Sequence, residues 1–167
     1  MAVVYELVVD FGANEGAAQR YREWLLNQPK SVTVGDKEIG LHDPLLERTR
    51  QHYFSVDIIP VRIGYSVGLD HGLGERIPLT KGELADLGLK LYEFVRGRPG
   101  YQLAMVGWDV DYWLFPEELK SEWRQEITEG SLKGLVISKQ LLREFPGACN
   151  FMPFDDEHDW VPYVGDR

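Results

Sequence analysis

The sequence predicts an α+β fold, a mainly antiparallel sheet with helices packed on one face. Three observations lead there. Short β-branched and aromatic runs recur through the first 113 residues. Two stretches between them carry apolar residues at spacings of three and four. The elements follow in the order β-α-β(β)-β-β-α-β, which suits helices segregated to one side of a sheet.

Residues 3–11, VVYELVVDF, are nearly continuous in apolar character, as expected of a central strand buried on both faces. Gly12 breaks the run, and Asn14 is placed to cap a helix over about residues 15–28. Ala17, Ala18, Tyr21, Trp24 and Leu25 form its apolar stripe, and Pro29 ends it. Gly35-Asp36 between alternating segments signals a hairpin over residues 31–39. Residues 41–51 read as loop or a short helical turn. Residues 53–59 and 61–69 read as strands, the second with Val61, Ile63, Tyr65, Val67 and Leu69 on one side. Pro60 between them marks a turn, bulge or edge.

After the glycine-rich residues 70–78, Thr80-Lys81-Gly82-Glu83 has the spacing of a capping box. Leu84, Leu87, Leu91, Phe94 and Val95 continue it as a helix to about Arg96. Residues 101–113 read as a long strand. The order to this point resembles a split βαβ, or ferredoxin-like, layout. A helix starting at Pro116 with Leu119, Trp123 and Ile127 on one side follows, then a short strand at 135–137. Ser138 caps a last helix through Phe145, and residues beyond Pro146 read as an irregular tail.

At 167 residues the chain is the size of one domain. It divides into a core over about 1–113 and a C-terminal extension and tail over about 114–167. With 44% hydrophobic residues, five tryptophans and eight tyrosines, it can build a core without staples and leave rings for an interface. The formal net charge of −9 repels phosphate backbones and anionic membranes, and would draw in a basic partner. The lone Cys149 allows no intramolecular disulfide, and no run approaches the roughly 20 apolar residues that span a bilayer. The opening residues, with Glu6 and Asp10 and no basic stretch, do not read as a signal peptide. Together these features suggest a cytoplasmic location.

Four groups invite a chemical role. Trp108-Asp109-Val110-Asp111-Tyr112-Trp113 places two carboxylates at i and i+2 on a strand, about 7 Å apart and bordered by rings. That pattern suits a recognition surface for a basic protein, and Trp108, Asp109, Asp111, Tyr112 and Trp113 are the binding candidates. Asp70 beside His71 is an acid–base candidate, in a loop where glycines suggest a phosphate cradle but Asp70 and Glu75 oppose one. Asp155, Asp156, Glu157 and His158 carry oxygen and imidazole donors for a divalent cation, yet contiguous side chains diverge. His42, Asp43, Glu47 and His52 match no zinc signature, and Pro44 interrupts any helix among them.

None of these specifies a reaction, and no cofactor is implied. The expectation is therefore an acidic interaction protein, for example a bacterial immunity-type or inhibitor protein that binds a basic partner. Two alternatives stand beside it: a small metal-dependent or acid–base hydrolase, and a homo-oligomeric structural protein.

Overall fold

The computed structural model describes residues 1–49, 51–110 and 116–165. At its centre, β1 (Tyr5–Asp10) is buried at every position. It pairs antiparallel on one side with β5 (Phe54–Ile58) and on the other with β6 (Leu103–Trp108), the latter in register from Tyr5↔Trp108 to Asp10↔Leu103. Outward from β5 lies β4 (Leu45–Arg48). Outward from β6 lie β7 (Val136–Ser138), β9 (His158–Trp160) and β8 (Met152–Pro153). The seven-stranded order is thus β4-β5-β1-β6-β7-β9-β8, antiparallel at each junction. A separate hairpin joins β2 (Ser31–Val34) to β3 (Lys37–Gly40) through Gly35, whose φ of 59° is the left-handed geometry the turn needs.

The fold is α+β, as the sequence predicts. The side chains of β1 alternate between two cores. Tyr5, Leu7 and Val9 point to one face, where they join Val56, Ile58, Ala104 and Val106 beneath α1 (Glu15–Leu26) and α2 (Lys81–Tyr92). Ala17, Ala18, Tyr21 and Leu25 are the buried stripe of α1, and Leu87, Gly88, Leu91 and Tyr92 that of α2. Each large side chain so buried contributes about 1.5–3 kcal/mol. Both helices begin where their caps dictate. Asn14 Oδ1 accepts the Ala17 N–H at 3.0 Å, and Thr80 and Glu83 complete a reciprocal capping box.

The C-terminal helices cover the opposite face. These are α3 (Pro116–Ser121), α4 (Arg124–Glu129) and α5 (Lys139–Leu142). Leu119, Ile127, Leu141 and Phe145 close over Val8, Leu103, Met105 and Ile137. No helix among the described residues is long and apolar enough to cross a membrane.

Four expectations change. Residues 61–69 are not a strand. Arg62 and Ser66 have φ of 61° and 53°, and only Tyr65 pairs, as an isolated bridge to Val3. Two left-handed residues break the pleat that alternation alone would have made. Residues 45–48, read as loop, are the edge strand β4, whose half-exposed Leu-Leu-Glu-Arg gives no clear period. The helix starting at Pro116 is two short ones, broken before Arg124, with Gly130 in the left-handed conformation ending the second. The tail is not irregular throughout, since β8 and β9 extend the sheet beyond β7.

Candidate functional site on the outer face of the sheet

The face of the sheet that carries Val8 changes character halfway across. From Val8 through Leu103, Met105 and Ile137 it is apolar and covered by α3 to α5. Toward β4 it turns acidic. Direct cross-strand partners share a face, so Glu47↔Ser55, Ser55↔Asp10 and Leu45↔Asp57 put Glu47, Asp10 and Asp57 on this side, with Glu6 four residues before Asp10 along β1. Glu6, Asp10, Ser55 and Asp57 are all buried.

Asp10 is 2% exposed and accepts the Gly12 N–H at 3.0 Å. Burial pushes its carboxyl up to about 7. The Gly12 bond opposes that rise, and the charge of Glu117 adds to it. Glu117, at the start of α3, accepts a short hydrogen bond from the Tyr53 hydroxyl. That bond, foremost, pushes the phenol up to about 12, with desolvation and the charges of Glu117 and Asp10 in support. Ser55 Oγ donates to Asp57 Oδ1 at 3.1 Å. The charge of Glu117 thus bears on both Asp10 and Tyr53, so like charge is crowded at this point.

Of the sequence-predicted binding residues, Trp108 and Asp109 lie where β6 ends; Asp111, Tyr112 and Trp113 lie outside the described residues. The strand stops at Trp108 because Asp109 takes a φ of 50°. Asp109 turns back to accept the Val4 N–H at 2.8 Å, so its carboxylate holds the first strand in place. The half-buried Trp108 meets the edge of Tyr5, centroids 5.1 Å apart, and a tilted Tyr65 at 5.9 Å. Tyr65 is 50% exposed and carries this ring series to the surface.

Asp70 and His71 are neighbours that do not pair. Asp70 Oδ1 lies 2.7 Å from His42 Nε2 and accepts the Arg62 N–H at 2.9 Å, whereas His71 is exposed. His52, with φ of 62°, sits instead against Arg48.

In the tail, Asp155 and His158 come together while Asp156 and Glu157 stay apart from them at the surface. His158 is fully buried. Its Nδ1 lies 2.8 Å from Asp155 Oδ1, and its Nε2 lies 3.0 Å from the Tyr101 carbonyl. Asp155 also accepts N–H groups from Gly97, Glu157 and His158. Among the described residues, no group of three or more His, Cys, Asp or Glu side chains is arranged to hold a metal ion.

Sequence reasoning missed the acidic half-face. Glu6 and Asp10 sit inside a run that reads as apolar. Ser55, opposite Asp10, and Asp57, opposite Val8, are more than 40 residues away, so only strand register brings the groups to one face. No family model matches the chain, nor does any curated protein or solved structure.

Proposed function

We propose that the chain is an acidic interaction protein of the inhibitor or immunity type, which captures a basic protein partner by charge and shape. The observation that carries this reading is the gathering of Asp10, Glu47 and Asp57 on one half-face with Glu117 beside them, Glu47 and Glu117 being exposed at its rim. A partner's Lys or Arg would meet the exposed Glu47 and Glu117, and the net −9 would steer it in. The half-exposed Tyr65 backed by Trp108 supports a ring-bearing contact at the far end of β1. The order β4-β5-β1-β6, with α1 leading from β1 toward β4 and α2 from β5 to β6, supports a ferredoxin-like core as its scaffold.

The test is capture from a lysate of the source organism. The immobilised protein should retain a basic polypeptide at about 50 mM salt and release it at about 500 mM, as a screened charge contact must. Glu117→Gln should weaken retention and leave the circular dichroism spectrum unchanged. Stoichiometric metal in the purified protein with no captured partner would overturn the proposal in favour of a hydrolase.

A further inference from the structure

The geometry points to an oxyanion site, of the phosphate class, between Arg62 and Arg76 in the loop that precedes α2. The loop encloses a cavity of about 300 Å³ lined by Arg62, Ser66, Gly68, His71, Gly74 and Arg76, among others. That volume is at the small end for a ligand site, and two arginines are among its lining residues.

Their own bonding leaves donors to spare. Arg76 gives its Nε–H to the Ile63 carbonyl at 2.8 Å and lays its guanidinium 4.0 Å from the centre of the Tyr65 ring, which fixes the plane of the fork. Arg62 uses its backbone N–H on Asp70. Its Nη1 reaches over Gly74, where an added Cβ would lie only 3.1 Å away. Neither guanidinium has a carboxylate within salt-bridge distance among the described residues. By contrast, in the larger cleft of about 570 Å³ beside α5, Lys120 is paired with Glu144 at 2.7 Å and Lys139 donates to the Asp156 carbonyl at 3.0 Å.

The carboxylates that argue against a phosphate in sequence are accounted for. Asp70 lines the cavity, but its Oδ1 is shared between His42 and the Arg62 N–H. Glu75 is not in the lining. The overall negative charge acts at long range, where salt screens it within about 8–10 Å, so the two nearby cations govern the site.

The loop is also held in shape. Val3 and Tyr65 exchange both backbone hydrogen bonds, at 2.9 and 2.8 Å, and a Cβ on Gly64 would strike the Val3 carbonyl at 2.6 Å. Arg62, Ser66, Gly72 and Gly74 all have positive φ. At Arg62 and Ser66, where a side chain makes that geometry costly, strain kept by surrounding contacts is a mark of ligand clamps. Two arginine forks, that of Arg76 stacked on Tyr65 and that of Arg62 beside Gly74, offer more donors than a single carboxylate can use and suit the oxygens of a phosphoryl group. This inference is independent of the partner-binding reading.

Calorimetric titration at constant ionic strength, with inorganic phosphate, phenyl phosphate and acetate as probes, tests it. Saturable phosphate or phenyl phosphate binding is expected. It should weaken at least about tenfold in Arg62→Gln or Arg76→Gln and vanish in the double variant, with the circular dichroism spectrum unchanged. Tighter phenyl phosphate identifies a phosphomonoester, and equal affinity identifies free phosphate; either supports the site. Absence of saturable binding at about 10 mM probe, binding indifferent to the double substitution, or acetate bound as tightly as phosphate overturns it.

Discussion

The imidazole of His158 lies flat on the ring of Tyr101, with centroids 3.8 Å apart and planes 5° from parallel. Each ring nitrogen faces an acceptor, the Asp155 carboxylate at one edge and the Tyr101 carbonyl at the other. The ring is thereby held at both edges as well as on its face. Removing the ring from this fully buried place leaves a cavity, takes the side-chain partner from the Tyr101 carbonyl and leaves Asp155 with its backbone N–H partners alone. His158→Ala is expected to cost about 3 kcal/mol in urea denaturation, from the cavity and the lost buried hydrogen bonds. A cost under about 0.5 kcal/mol would refute both the packed and the hydrogen-bonded role of the ring.

Tyr101 presents the converse case. Its hydroxyl is buried with no hydrogen-bond partner among the described residues, and burial, reinforced by the nearby Asp155 charge, pushes the phenol far up. A stranded hydroxyl costs about 1–3 kcal/mol. Tyr101→Phe keeps the stack on His158 and the edge contact with Phe11. It should therefore raise stability by up to about 1 kcal/mol, read as a higher melting temperature.

Two carboxylates should give the stability–pH curve opposite slopes. For Asp155, desolvation works against ionisation. The hydrogen bonds from His158, Gly97 and Glu157 outweigh it, and the carboxyl lies below its ordinary value. A lowered folded-state value means stability that is present above the unfolded value near 4 and lost as pH falls through the folded one. Asp10, raised to about 7, acts the other way: the folded state holds its proton more tightly, so stability declines as pH climbs from about 4 to about 7. Asp10→Asn can still accept the Gly12 N–H. It should flatten that decline, with a gain of up to about 4 kcal/mol at pH 8 if the whole shift is expressed. Asp155→Asn should flatten only the acid limb. Unfolding free energies from pH 3 to pH 8 separate the two, and identical profiles in both variants would refute the assignment.

The residues most legible in sequence are those whose determinants lie close together. The capping box at Thr80 and Glu83, the Asn14 cap, the Ser138 cap and the Gly35 turn all act within a few positions, and the structure has each of them. What escaped depends on distant pairing. The edge strand β4 has its burial set by β5, and its four residues show no period of their own. The alternation of residues 61–69 is real in sequence. In three dimensions Ile63 enters the core while Tyr65 and Leu69 stay at the surface, because Arg62 and Ser66 turn the chain. His42 finds Asp70 across 28 residues, in preference to the adjacent His71. The acidic half-face required the register of three strands before its carboxylates stood on one side.

Two glycines in α2 make opposite predictions from one substitution. In a helix, Gly→Ala ordinarily gains up to about 1 kcal/mol by restricting the unfolded chain. Gly82 lies in the exposed first turn, with nothing within 4 Å of an added Cβ, so Gly82→Ala should stabilise by about 0.5 kcal/mol. At Gly88 the added Cβ would sit 2.6 Å from atoms of the Tyr163 ring. That ring cannot swing away freely, since its hydroxyl lies 2.9 Å from the hydroxyl of Tyr5, itself fully buried, and its face leans on Tyr92 at 5.5 Å. Gly88→Ala should then cost about 1–3 kcal/mol, as overpacking does, despite the better helix former. Thermal melts of the two variants side by side decide the matter: a gain at both positions would show that the C-terminal segment does not clamp α2 through Tyr163.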